Sequence, residues 1–175
     1  AVDELLNPTA PDPADPLKEY ITSTTPGVVP DGNILQGTTW VNDINSDGTV
    51  QSQRRASYKK WLTGTMINQD RSIREKLIMF WTDHFGNETN DVGNGNWIYA
   101  QHKLIRQFAL GNFKTFVQAI STDVAMLRYL NGYLNNAASP DENFARELFE
   151  LFTIGKGPGS GYTENDIKES AKVLT

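Results

Sequence analysis

Oxygen donors recur at alternate positions in Asp43-x-Asn45-x-Asp47-Gly48, the spacing of the first half of a calcium-binding loop. Three such oxygens suit a hard cation, and the glycine allows a sharp turn. Calcium, or another divalent metal, is therefore the cofactor this segment would hold, with Asp43, Asn45 and Asp47 as ligands. The twelfth position, where a bidentate carboxylate belongs, is Arg54, and a cation there repels a metal. The competing reading is a plain Asp-Gly turn.

His84 is one of two histidines and falls on the apolar side of a helical stretch that begins near Ile73. A buried imidazole needs a hydrogen-bond partner. A backbone carbonyl or a carboxylate would make it a core residue, and a carboxylate would also let it act as a base or a metal ligand. Glu142, Arg146 and Glu150 are spaced i,i+4, a pattern explained by a solvated helix face worth ~0.2–0.5 kcal/mol per pair. If Glu147, with Glu142 or Glu150, instead faced a cleft and met His84, the cluster could bind a metal or move a proton, with Arg146 beside it. His102 reads as a half-exposed helix residue. With no cysteine there is no thiolate nucleophile, disulfide or Cys-ligated zinc, and no nucleophile elbow or paired-histidine motif is present.

The elements that would position these residues are helices. Pro8, Pro11, Pro13, Pro16, Pro26 and Pro30 break any apolar period over residues 1–36, which read as an extended arm with one helical turn at Leu17–Ile21. Residues 37–52 read as a loop or short hairpin turning at Asp47-Gly48. From residue 53 the period is helical. The spacing predicts helices over 53–68, over 72–85 behind a Ser72-x-x-Glu75 capping box and deeply buried, and over 97–110. The interval 87–96 reads as a polar surface connection. Further helices are predicted behind caps at Asn112, Asp123, Ser139 and Thr163. In the Ser139 helix, Phe144, Ala145, Leu148, Phe149, Leu151 and Phe152 share one face and the charged residues the other. The expected fold is all-α, an irregular bundle of about six to seven helices over 53–175 behind a Pro-rich arm.

Composition narrows the function. The chain has 175 residues, 21 acidic and 16 basic, for a net charge of −5, so no basic field draws it to nucleic acid. No stretch approaches the length of a transmembrane helix. The aromatic residues sit mostly at core-facing helical spacing and do not form a sugar-stacking platform.

Longer words carry a resemblance. Ser72-Ile-Arg-Glu-Lys-Leu-Ile-Met-Phe-Trp-Thr-Asp-His-Phe85, Leu110-Gly-Asn-Phe113, Pro140-Asp-Glu-Asn-Phe-Ala-Arg-Glu-Leu-Phe-Glu-Leu-Phe-Thr-Ile-Gly155, Tyr162-Thr-Glu and Ala171-Lys-Val-Leu-Thr175 keep order and spacing from about Arg54 to Thr175. They resemble the bacterial family known as domain of unknown function 1800. The resemblance implies a helical protein of several hundred residues, often exported and often encoded beside a sulfatase-like protein, which would be its partner. It implies no established activity. In that family Gly-Trp commonly follows the last word, so the domain is expected to continue past Thr175. Where relatives show His-x-His-Phe, this chain has Thr82-Asp-His84-Phe85, and the missing first imidazole counts against a family-wide metal site here unless Asp83 substitutes for it. The expectation is an extracytoplasmic binding or scaffold module, with a protein or extracellular polymer as partner. The rival expectation is a hydrolase-like or metal-dependent enzyme using His84, Arg146 and Glu147.

Overall fold

The computed structural model describes residues 2–6, 9–20 and 31–175, and it is all helical: among the described residues there is no strand, only two isolated bridges. The helices are α1 (Val2–Leu6), α2 (Gly48–Ile67), α3 (Arg74–His84), α4 (Thr89–Val92), α5 (Gly95–Phe108), α6 (Phe113–Ile120), α7 (Val124–Tyr129), α8 (Glu142–Glu147) and α9 (Glu164–Val173). The π-helical turn Leu148–Thr153 prolongs α8, and a 3-10 turn spans Gly132–Leu134.

Seven of these match the helices predicted by spacing; α1 and α4 are additional. α4 lies within the interval expected to be a polar connection, and Val92 at its end is buried. Of the expected arm, residues 1, 7, 8 and 21–30 lie outside the described residues, as does Ile21 of the expected turn at Leu17–Ile21. Leu17 itself bridges Thr39.

Asp47-Gly48 does not turn a hairpin. Asp47 accepts hydrogen bonds from the backbone N–H of Thr49 and Val50, which makes it the N-cap of a helix that starts ahead of residue 53. Asn94, Asn112, Asp123 and Thr163 cap α5, α6, α7 and α9 in the same way, and Thr163 and Asp166 complete a reciprocal capping box.

The organising element is α5, which packs against α2, α3, α4, α6 and α7. Its residues Ile98, Ile105 and Ala109 are buried along one stripe, and Tyr99, His102 and Arg106 form a second stripe at i, i+3, i+7. The first stripe feeds the main core. There Ile105 and Ala109 meet Ile78 and Phe85 of the α3 region, Phe116 and Ile120 of α6, Met126 of α7, and Phe144 and Phe152. A smaller cluster gathers Trp40, Tyr58, Val92, Ile98, Tyr99 and Ala125. A third, of Ala145, Ile167 and Ala171, joins α8 to α9.

Two packing expectations are corrected. α3 is not deeply buried: Glu75, Ile78 and Phe85 face inward, whereas Phe80 is 55% exposed and Met79 is also exposed. The buried stripe is centred on Ile78 and Phe85, to one side of Phe80. Leu151, expected in the core with Phe144 and Phe152, is 63% exposed. The cause is the π turn, in which Ile154 N–H donates to the Phe149 carbonyl at i−5. A wider turn takes more residues per revolution, so side chains after Glu147 fall out of α-helical phase.

Candidate ligand-binding groove

Two residues of the second stripe of α5 line a pair of clefts, Arg106 both of them and Tyr99 one. A segment without regular secondary structure, Ala10–Asp15, runs between them and lies across Trp61 and Arg106, which line both. The cleft on the α2 and α3 side has a volume of about 670 Å³ and is walled by Trp61, Arg74, Glu75 and Arg106. The cleft on the α5 side, about 810 Å³, is walled by Tyr99, Lys103, Arg106 and Phe108. Both volumes fall in the range of roughly 300–1,000 Å³ typical of small-ligand sites.

Trp61 Nε1–H donates to the Ala14 carbonyl at 2.7 Å, and its ring meets Tyr99 and His102 edge-on at centroid distances of 5.3 and 5.1 Å. Tyr99 O–H donates to the Asp15 carboxylate. Burial, then Asp15, holds the Tyr99 phenol protonated well above its ordinary range. Arg106 Nη2 donates to both oxygens of Glu75, at 2.6 and 2.8 Å, and both residues are buried. Arg106 Nε has no hydrogen-bond partner, and Nη1 lies 3.9 Å from Asp12. Arg74 Nη1 stands 3.5 Å from the same carboxylate.

His102 lies behind this wall. It is 2% exposed, not half-exposed as its place in the sequence suggests, because the α5 stripe it belongs to is roofed by Tyr58 and Trp61 of α2. Its Nδ1 shares a 3.3 Å hydrogen bond with the Tyr58 hydroxyl, and Nε2 has no partner. Burial, reinforced by the charge of Arg106, lowers its pKa to about 3, so the ring is neutral.

The residues singled out by sequence lie elsewhere. His84 is half-buried among Phe80, Trp81, Phe85, Phe113 and Phe152. Its Nε2–H donates to the Phe152 carbonyl at 2.9 Å. That carbonyl belongs to the last π turn, where carbonyls lack helical partners, so the histidine caps the turn. Arg146 pairs with Glu142, Glu150 and Glu164, and with Glu164 it forms two hydrogen bonds, at 2.9 and 2.7 Å, that tie α8 to α9. Among the described residues no hydrogen bond or ion pair joins His84 to Arg146 or Glu147.

Asn45 accepts a hydrogen bond from Asp47 N–H, and Asp47 caps α2. Asp43 gives both its carboxylate and its carbonyl to Arg54. Among the described residues no group of three or more histidine and acidic side chains could hold a metal ion.

Arg54 is fully buried and satisfied at all five donors. Nε and Nη2 reach the two oxygens of Asp31, at 2.9 Å each, and the remaining bonds go to Asp43 and to Asn96 Oδ1. Burial alone would raise the Asp31 carboxyl, but the bonds from Arg54 and Tyr20 carry it below its usual range. Sequence reasoning missed this cluster, and also the Arg106–Glu75 pair, whose Glu75 was expected to close a capping box. Ser72 does accept from Arg74 N–H, but the Glu75 carboxylate turns to Arg106.

A family model described as "Protein of unknown function (DUF1800)" matches residues 1–175, extending the resemblance back through the arm. No curated protein and no solved structure matches the chain.

Proposed function

We propose that this chain, which belongs to the DUF1800 family of proteins of unknown function, is a binding module that grips an extended partner in the groove between α2, α3 and α5. One observation carries the reading: the groove is crossed by a stretch of chain without regular structure, held through its carbonyl and carboxylate oxygens by Trp61, Tyr99 and cations of the wall. Aromatic rings supply area with little entropy loss, and the surrounding charges fix register. Glu75 neutralises Arg106 within the wall, which leaves Arg74 and Lys103 as the cations that meet the carboxylates of the crossing segment.

No helix among the described residues is long and apolar enough to cross a membrane. Placement outside the cytoplasm, with a protein or extracellular polymer as partner, is part of the proposal and rests on the family resemblance. The sulfatase-like partner rests there too.

The test is amide exchange and tryptophan fluorescence of the full chain with defined probes: an acidic proline-containing peptide, its neutral counterpart, and neutral and uronic oligosaccharides. Binding should slow exchange over 57–65 and 99–107 with one class of probe. Unchanged exchange in both stretches with every probe would overturn the reading.

A further inference from the structure

The groove's present occupant indicates what it selects. From Ala10 to Pro16 the chain reads Ala-Pro-Asp-Pro-Ala-Asp-Pro. Closely spaced prolines fix φ and remove backbone donors, so such a segment is extended before it binds and loses little entropy on docking. Trp61 Nε1–H bonds the Ala14 carbonyl at 2.7 Å, the contact aromatic grooves make with proline-rich chains. The two carboxylates find complementary charge. Asp15 takes the Tyr99 hydroxyl and lies 3.8 Å from Lys103 Nζ, and Asp12 lies between Arg74 and Arg106 at 3.5 and 3.9 Å.

The fit is incomplete. Asp12 is 65% exposed and too far from Arg106 for a hydrogen bond, while Arg106, itself nine-tenths buried, keeps Nε without a partner. A carboxylate seated closer to Arg106 Nη1 would gain a hydrogen bond that Asp12 does not make.

We infer that the groove receives an acidic, proline-interrupted segment of a partner protein, and that residues 10–15 occupy it in cis as an intramolecular competitor. This rests on the binding reading above and names its ligand. A tethered competitor acts at an effective concentration in the millimolar range, so the closed form masks the site and weakens apparent affinity by the fraction left open.

The experiment uses the full chain and a synthetic peptide with the sequence of residues 9–17. Asp12→Asn with Asp15→Asn weakens the cis occupant at its exposed and its half-buried carboxylate, and circular dichroism checks that the helices persist. Titration calorimetry should show the peptide binding this variant about tenfold more tightly than the unaltered chain. A peptide with both aspartates replaced by asparagine should bind weakly, and adding Arg74→Gln and Lys103→Gln to the variant should abolish the gain. Equal affinity for variant and unaltered chain, or for acidic and neutral peptides, would sink the inference. If an oligosaccharide protects 57–65 and 99–107 while the acidic peptide does not, the inference fails and the binding module stands. If no probe protects them, both fail.

Discussion

At the scale of single residues, His102 should govern how this fold responds to acid. In the folded chain its pKa is lowered to about 3 by burial and by Arg106, against 6.5 for the free side chain. Between those values the unfolded chain holds a proton that the folded chain lacks, so stability falls as pH drops from about 6.5 toward 3. Integrated from pH 7 to pH 5, the loss is about 2 kcal/mol. His102→Gln keeps a partner for the Tyr58 hydroxyl and removes the titration. Urea unfolding at pH 7 and 5 should show the variant losing correspondingly less stability than the parent, and equal losses would refute the assignment. Nothing local in the sequence marks His102 as the buried histidine. Its burial depends on Tyr58 and Trp61, which stand more than forty residues earlier in the chain. His84 was legible as a core histidine bonded to a backbone carbonyl or a carboxylate, but that the partner would be a carbonyl freed by a π turn was not.

At the scale of elements, the approach of α2 to α5 rests on a missing side chain. A Cβ at Gly95 would stand 2.8 Å from Arg54 Cβ and 3.2 Å from backbone atoms of Arg54 and Arg55, none of which can swing aside. Gly64, within α2, has nothing within 4 Å of such an atom. Gly95→Ala should therefore destabilise by about 1–3 kcal/mol through overpacking, despite alanine's higher helix propensity. Gly64→Ala should instead stabilise by up to about 1 kcal/mol. Thermal unfolding of the two variants checks the contrast, and a stabilised Gly95→Ala would show that the helices cross with more room than this.

Helix starts were largely readable because a cap lies within a few residues of the groups it satisfies, as at Asn112, Asp123 and Thr163. Ser139 was misread: Asp141, two residues on, accepts from Asn143 N–H and begins α8. The crossing partner of Gly95 lies some forty residues away, and no local rule reaches it.

At the scale of the whole molecule, Arg54 joins the irregular segment, α2 and α5, which also share the apolar cluster around Trp40. Its guanidinium binds Asp31 and Asp43 of the irregular segment and Asn96 of α5, while its backbone lies in α2. Asn96 in turn reaches the carbonyls of Trp40, Val41 and Asp43. The segment holding Trp40 is therefore fastened by polar bonds as much as by its small apolar cluster. Lys18, whose ammonium group bonds the Asp31 and Ile34 carbonyls, anchors the end of the strap that crosses the groove to this same hub.

The two ends of the ion pair should not contribute independently. Arg54→Met leaves the fully buried Asp31 carboxylate without its bidentate partner, and losing one member of a buried pair costs about 3–5 kcal/mol. Arg54→Met with Asp31→Asn removes both charges and leaves an amide that Tyr20 can still bond. The double variant should be less destabilised than the sum of the singles by about 1–3 kcal/mol, the coupling of groups in one network. Urea midpoints for the parent, both singles and the double measure that coupling. Additive losses would mean that Asp31 and Arg54 are each held by their other partners, and that the hub is a set of separate contacts rather than the joint between the strap and the helices.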